Sequence, residues 1–69
     1  MAEQVIRLRS EQEAIKLYGS MDEHLRYAEE RFHVKVSARN FRLRVVGKAG
    51  DVEQAAQYFQ SELDLLRGK

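Results

Sequence analysis

At Val34 the hydrophobic period of the chain changes, and this change limits what the chain can fold into. In the stretch leading up to it, apolar residues recur at helical spacing. After it, they alternate. Met21, Leu25, Ala28 and Phe32 are spaced four, three and four, which predicts one buried helix face over residues 21–32. From Val34 the pattern is Val34, Val36 and Ala38 against Lys35, Ser37 and Arg39. Then Phe41, Leu43 and Val45 alternate with Arg42, Arg44 and Val46. Asn40 stands between the two runs, and asparagine tolerates the left-handed backbone of a turn. Two alternating runs joined this tightly predict a β-hairpin of residues 34–39 and 41–46.

The rest of the chain supplies partners for that hairpin. Residues 4–9 alternate, with Ile6 and Leu8 on one face and Val5, Arg7 and Arg9 on the other. Ser10 caps a short helix with Glu13 as its capping-box partner, and Ala14, Leu17 and Tyr18 give that helix an apolar stripe. Gly19 closes it, and Ser20 with Glu23 forms a second capping box that opens the helix running to Phe32. His33 ends that helix. Residues 47–50 read as a loop, with Asp51, or alternatively Gly50, as the N-cap. Val52, Ala55, Ala56, Phe59, Leu63 and Leu66 then form a long stripe, with Arg67 and Lys69 suited to the helix C-terminus. The order β-α-α-β-β-α predicts a two-layer α+β domain: a three-stranded antiparallel sheet with helices on one face. Ile6, Leu8, Val34, Val36, Ala38, Phe41, Leu43 and Val45 are the expected sheet core.

Sixty-nine residues make one domain with a small core. No cysteine is present, so disulfides and thiolate metal sites are excluded and a reducing compartment fits. No apolar run approaches the roughly 20 residues of a membrane span, and no signal-peptide pattern opens the sequence. The expectation is a cytoplasmic protein without a membrane partner. A net charge of +1 says nothing about a polyanionic ligand, but its distribution does. Residues 34–50 carry basic side chains and no acidic one, and apart from Glu3 the acids lie on the helices or their caps. The outer sheet face is therefore expected to carry Arg7, Arg9, Lys35, Ser37, Arg39, Arg42, Arg44 and Val46. Two readings of it stand: a solvated face whose charges resist strand addition, or a surface for a polyanion or an acidic protein.

Other chemistry is sparse. His24 and His33 lack metal-ligand spacing and read as surface histidines. Glu29 and Glu30 beside Arg26 and Arg31 read as a solvated charged face. No nucleophile–base arrangement stands out. Tyr18 and Tyr27 are the candidate stacking aromatics, with Tyr18 assigned to the core by its stripe. The basic face has no aromatic, so contacts there would be to phosphates with little base readout. The remaining feature is the joint Gly19-Ser20-Met21-Asp22, where two helices meet.

This order of elements, with a glycine-led joint between two helices, resembles a type I KH domain, a single-stranded nucleic-acid binder whose GXXG loop clamps the backbone. Here the second glycine is replaced by Asp22, whose carboxylate occupies with its own charge the place of a phosphate. Leu17-Tyr18-Gly19, Asp22-Glu23, Leu25, Glu29-Glu30, Val34-Lys35-Val36, Ala38-Arg39, Leu43, Val45 and Gly47 resemble, in register, the N-terminal domain of PhoH-like proteins. His33 and Asn40 stand where that family is expected to carry glycine. The resemblance implies an RNA-associated ATPase parent with a P-loop domain beyond this module. The chain has no G-x-x-x-x-G-K-[ST] run, so no ATPase activity is expected of it, and ATP and Mg belong to the parent only. Gly19, Ser20, Met21, Asp22, Lys35 and Arg39 are the nucleic-acid-contact candidates that the resemblance implies. Arg7, Arg9, Arg42 and Arg44 are candidates for phosphate or protein contact. The expected partner is single-stranded RNA; the alternative is docking on the parent's ATPase domain, another subunit or an RNA-processing protein.

Overall fold

The computed structural model describes residues 1–68, so Lys69 lies outside the described residues. Strand β1 (Ala2–Arg7) leads to helix α1 (Glu11–Tyr18), a single 3-10 turn (Ser20–Asp22) and helix α2 (Glu23–Phe32). Strands β2 (Lys35–Arg39) and β3 (Arg42–Gly47) and helix α3 (Ala49–Leu66) follow. The sheet is antiparallel with β3 in the centre, in the order β1-β3-β2. Helices α2 and α3 pack on one face of it, and α1 packs against both of them. The protein is thus a two-layer α+β domain, as the period change at Val34 predicts.

Register explains the two faces. Ile6 pairs with Leu43, which pairs with Ala38, and Gln4 pairs with Val45, which pairs with Val36. These residues point toward the helices. Leu43, Val45, Phe59, Leu63 and Ala55 are fully buried, with Leu17 nearly so. Tyr58 of α3 lies 5.5 Å from Tyr27 and 5.8 Å from Phe32 between ring centroids, which ties α2 to α3.

Several local expectations are corrected. The turn between β2 and β3 has two residues, Asn40 and Phe41, with φ of 51° and 61°, as a two-residue hairpin requires. Phe41 therefore leaves the alternation, β3 starts at Arg42, and the Phe41 ring is 51% exposed instead of joining the core. Ala38 faces the helix layer but stays exposed, because α1 stands off from it across an open groove. Strand β1 ends at Arg7, so Arg9 is not part of the sheet face: its N–H donates to Glu13 Oε1 at 2.9 Å in the Ser10 capping box. Helix α3 starts at Ala49 after Lys48, ahead of Asp51, which sits in the first turn where its charge suits the helix dipole. Gly47 belongs to β3, and Leu66 is exposed at the end of α3. Arg67 does more than offset a dipole. Its guanidinium donates Nε to Glu13 Oε2 at 2.9 Å and Nη2 to Oε1 at 2.8 Å, a bidentate pair joining α1 to the end of α3.

Candidate nucleic-acid interface

The joint between α1 and α2 is built around Gly19. Its φ of 81° with ψ of −178° is open only to glycine, and its N–H donates to the Ile15 carbonyl at 3.1 Å. A Cβ there would stand 2.9 Å from Glu23 Cγ and 3.0 Å from His24 Nδ1. Met21 and Asp22 follow with φ of 53° and 58°, so α2 starts only at Glu23. The Ser20–Glu23 capping box does not form, because Ser20 lies inside the 3-10 turn and makes no side-chain cap bond. Asp22 is the N-cap, but its left-handed backbone leaves its carboxylate without a cap bond as well. Two other side chains hold the joint. His24 Nδ1–H donates to the Leu17 carbonyl at 2.9 Å, and Arg26 Nη2 donates to the Met21 carbonyl at 2.9 Å. Ser20, Met21 and Asp22 are exposed, with Met21 at 84%.

Tyr18 connects the joint to a groove. The groove has a volume of about 240 Å³ and runs between α1 and the hairpin end. Ile15 and Tyr18 form one wall, Arg39, Asn40 and Phe41 the other, and Ala38 lies between. The Tyr18 hydroxyl is pushed above its ordinary value by burial and, secondarily, by the Asp22 carboxylate. The small Ala38 side chain and the two-residue turn leave this space open. Arg39 and Asn40 also line a second groove of about 520 Å³ on the outer sheet face, shared with Val5, Ser37, Arg42 and Arg44.

That outer face holds three arginines in one row across the strands, with Arg7 paired to Arg42 and Arg42 to Arg39. Directly opposed like charges are destabilising. Among the described residues these three form no ion pair, whereas Arg44 Nε donates to Glu3 Oε2 at 2.7 Å. Lys35 sits at the far end of β2 from Arg39, opposite Val46, and beside His33 and Lys48. The structure therefore brings Gly19 and Arg39 to one side of the domain, and leaves Lys35 away from both.

Sequence reasoning missed four contributors. The alternation places Phe41 on a strand, and the helical pattern sets His24 and Glu29 toward solvent. Ile15, 60% exposed, falls outside the helical stripe. Glu29 accepts the Val36 N–H at 3.0 Å and so caps the outer edge of β2 at that residue. Among the described residues no cluster of three or more acidic, histidine or cysteine side chains is placed to hold a metal ion, and no helix is long and apolar enough to cross a membrane. Comparison with protein-family models, curated proteins and solved structures finds no match to this chain.

Proposed function

We propose that the chain is a non-catalytic, KH-like module that binds single-stranded RNA weakly, and that it serves within a PhoH-like RNA-associated ATPase. The observation that carries this reading is the groove between α1 and the hairpin end. It combines the exposed Ile15 and Phe41 side chains and the half-buried Tyr18 ring with one cation, Arg39, and one carboxylate, Glu11, beside the glycine-led joint. Single-stranded bases are recognised by such apolar and aromatic surfaces flanked by cations, because every base has a face that stacks. Asp22 opposes phosphate approach at the joint, which accounts for weak binding. ATP and Mg are assigned to the parent's P-loop domain.

Titrating the isotope-labelled chain with a single-stranded RNA oligomer at two salt concentrations tests this. Amide shifts should move at residues 15–22 and 38–41. Affinity should fall with a slope of roughly 0.7 log units per phosphate contact for each tenfold rise in salt. Asp22→Gly should tighten binding. Amide shifts that stay unmoved along the groove at millimolar RNA would refute the reading.

The arginine row supports a second reading, in which the outer face docks on an acidic protein surface of the parent or of an RNA-processing partner. Arg42→Glu with Arg44→Glu then abolishes partner capture, while Asp22→Gly leaves it unchanged.

A further inference from the structure

The sheet has two edges, and among the described residues only one carries a side-chain bond to its backbone. On β2, Glu29 takes the outward Val36 N–H. Strand β1 lies at the other edge with no bulge, no proline and, among the described residues, no side-chain bond to its backbone. Its outward groups follow from the register. The Arg39–Arg42 pair closes a two-residue turn and so exchanges backbone bonds, which directs the backbone groups of Arg42, Arg44 and Val46 toward β2 and those of Leu43, Val45 and Gly47 toward β1. Ile6, Gln4 and Ala2 therefore bond to β3, and the N–H and C=O groups of Glu3, Val5 and Arg7 point off the free edge. Beside that edge runs a trough of about 550 Å³ between β1 and α3. The α3 residues Ala49, Val52, Ala56, Gln57 and Gln60 line it, with Glu53 as the one charged side chain that α3 contributes.

We infer that this edge pairs with β1 of a second copy of the chain, antiparallel about a two-fold axis at Val5, to make a continuous six-stranded sheet. The three residues with outward backbone groups specify the register. Val5 meets the partner's Val5, Glu3 meets the partner's Arg7, and Arg7 meets the partner's Glu3. All three pairs are of the bonded type, so six backbone hydrogen bonds form. The side chains agree with the backbone. Val5, 44% exposed on the outer face, is covered by its own copy. Each Arg7, the outermost member of the unpaired arginine row, gains the partner's Glu3 directly opposite, a carboxylate held by Arg44 through Oε2 and left with Oε1 to accept from Arg7. Placing an acid and a base at equal distances on either side of Val5 makes the strand self-complementary, as an isologous contact requires. Glu53 apart, the α3 side chains along the trough are small, apolar or amide, so the approach of the two α3 helices brings only that one α3 charge near the seam.

Sedimentation of the chain from micromolar to millimolar concentration should show a reversible monomer–dimer equilibrium. Glu3→Arg or Arg7→Glu alone sets like charges opposite each other at both ends of the paired strands and should weaken dimerisation about tenfold or more. The double swap Glu3→Arg with Arg7→Glu should restore it, a rescue that a mere folding defect would not give. In a chain with no native cysteine, Val5→Cys should form a covalent dimer under mild oxidation, since a bonded antiparallel pair sets its Cα atoms about 5.5 Å apart, within disulfide reach. Gln4→Cys, facing the helix layer opposite the partner's Ile6, should not. A chain that stays monomeric at millimolar concentration, or a dimer indifferent to the single swaps and not cross-linked through Val5→Cys, overturns the inference.

Discussion

Phe41 shows how one residue can trade stability for an exposed surface. A bulky side chain at φ of 61° is strained, and the second position of such a turn is where glycine normally sits. Phe41→Gly relieves the strain and should raise stability by about 0.5–1 kcal/mol, the left-handed cost less the entropic cost of glycine. The same change removes the aromatic wall of the groove and should weaken RNA binding. Urea unfolding and an RNA titration of one variant check both halves. Gly19 presents the reverse case. Gly19→Ala forces a Cβ against Glu23 and His24 on a backbone that alanine avoids, and should cost about 1–3 kcal/mol in the same denaturation experiment. Gly19 as the end of the first helix was legible in the sequence. Its neighbours were less so. The Ser20-x-x-Glu23 spacing fits a capping box, but the tight 3-10 turn moved the start of α2 and left Ser20 without that role.

Elements are joined here by few polar contacts, so each one matters. Arg67 beside Glu13, with the Arg9 N–H adding a further bond, pulls the Glu13 carboxyl from the usual carboxylate range down to about 2. A carboxyl whose folded value lies below its unfolded one stabilises fully above the unfolded value, and that stability is lost as pH falls toward the folded one. Wild-type stability should therefore decline between about pH 4.5 and 2, and Glu13→Gln should flatten that part of the profile. At neutral pH the same substitution should cost about 1.5–3 kcal/mol, the scale of hydrogen bonds to charged groups. Thermal melts across the acid range measure both. This pair links α1 to the end of α3 and could not be read from the sequence, because 54 residues separate its partners. The pair Glu29–Val36 is hidden for the same reason at shorter range: a helix carboxylate reads as solvated until the strand edge beside it is known.

For the whole molecule, the aromatic centre of α3 decides whether a domain this small folds. Phe59 is fully buried against the sheet and touches Tyr58 edge-on at 5.1 Å between ring centroids. Phe59→Ala should cost about 3–5 kcal/mol. A 69-residue core without disulfides supplies about as much in total, so circular dichroism should find the variant largely unfolded. The sequence by itself determined the element order, the hairpin and its turn residue Asn40, the sheet's apolar face and the concentration of arginine on the opposite face. These follow from periods of 3.6 and 2, which act within a few residues and need no knowledge of distant partners. Only the tertiary structure decided that β3 is central, that Arg7, Arg42 and Arg39 stand in one row, and that a groove opens beside Ala38 and Phe41. It also decided that the β1 edge is bare while the β2 edge is capped by Glu29 at Val36. Those outcomes depend on which strand lies beside which and on where the helices end, and strand order is set by packing between segments far apart in the chain.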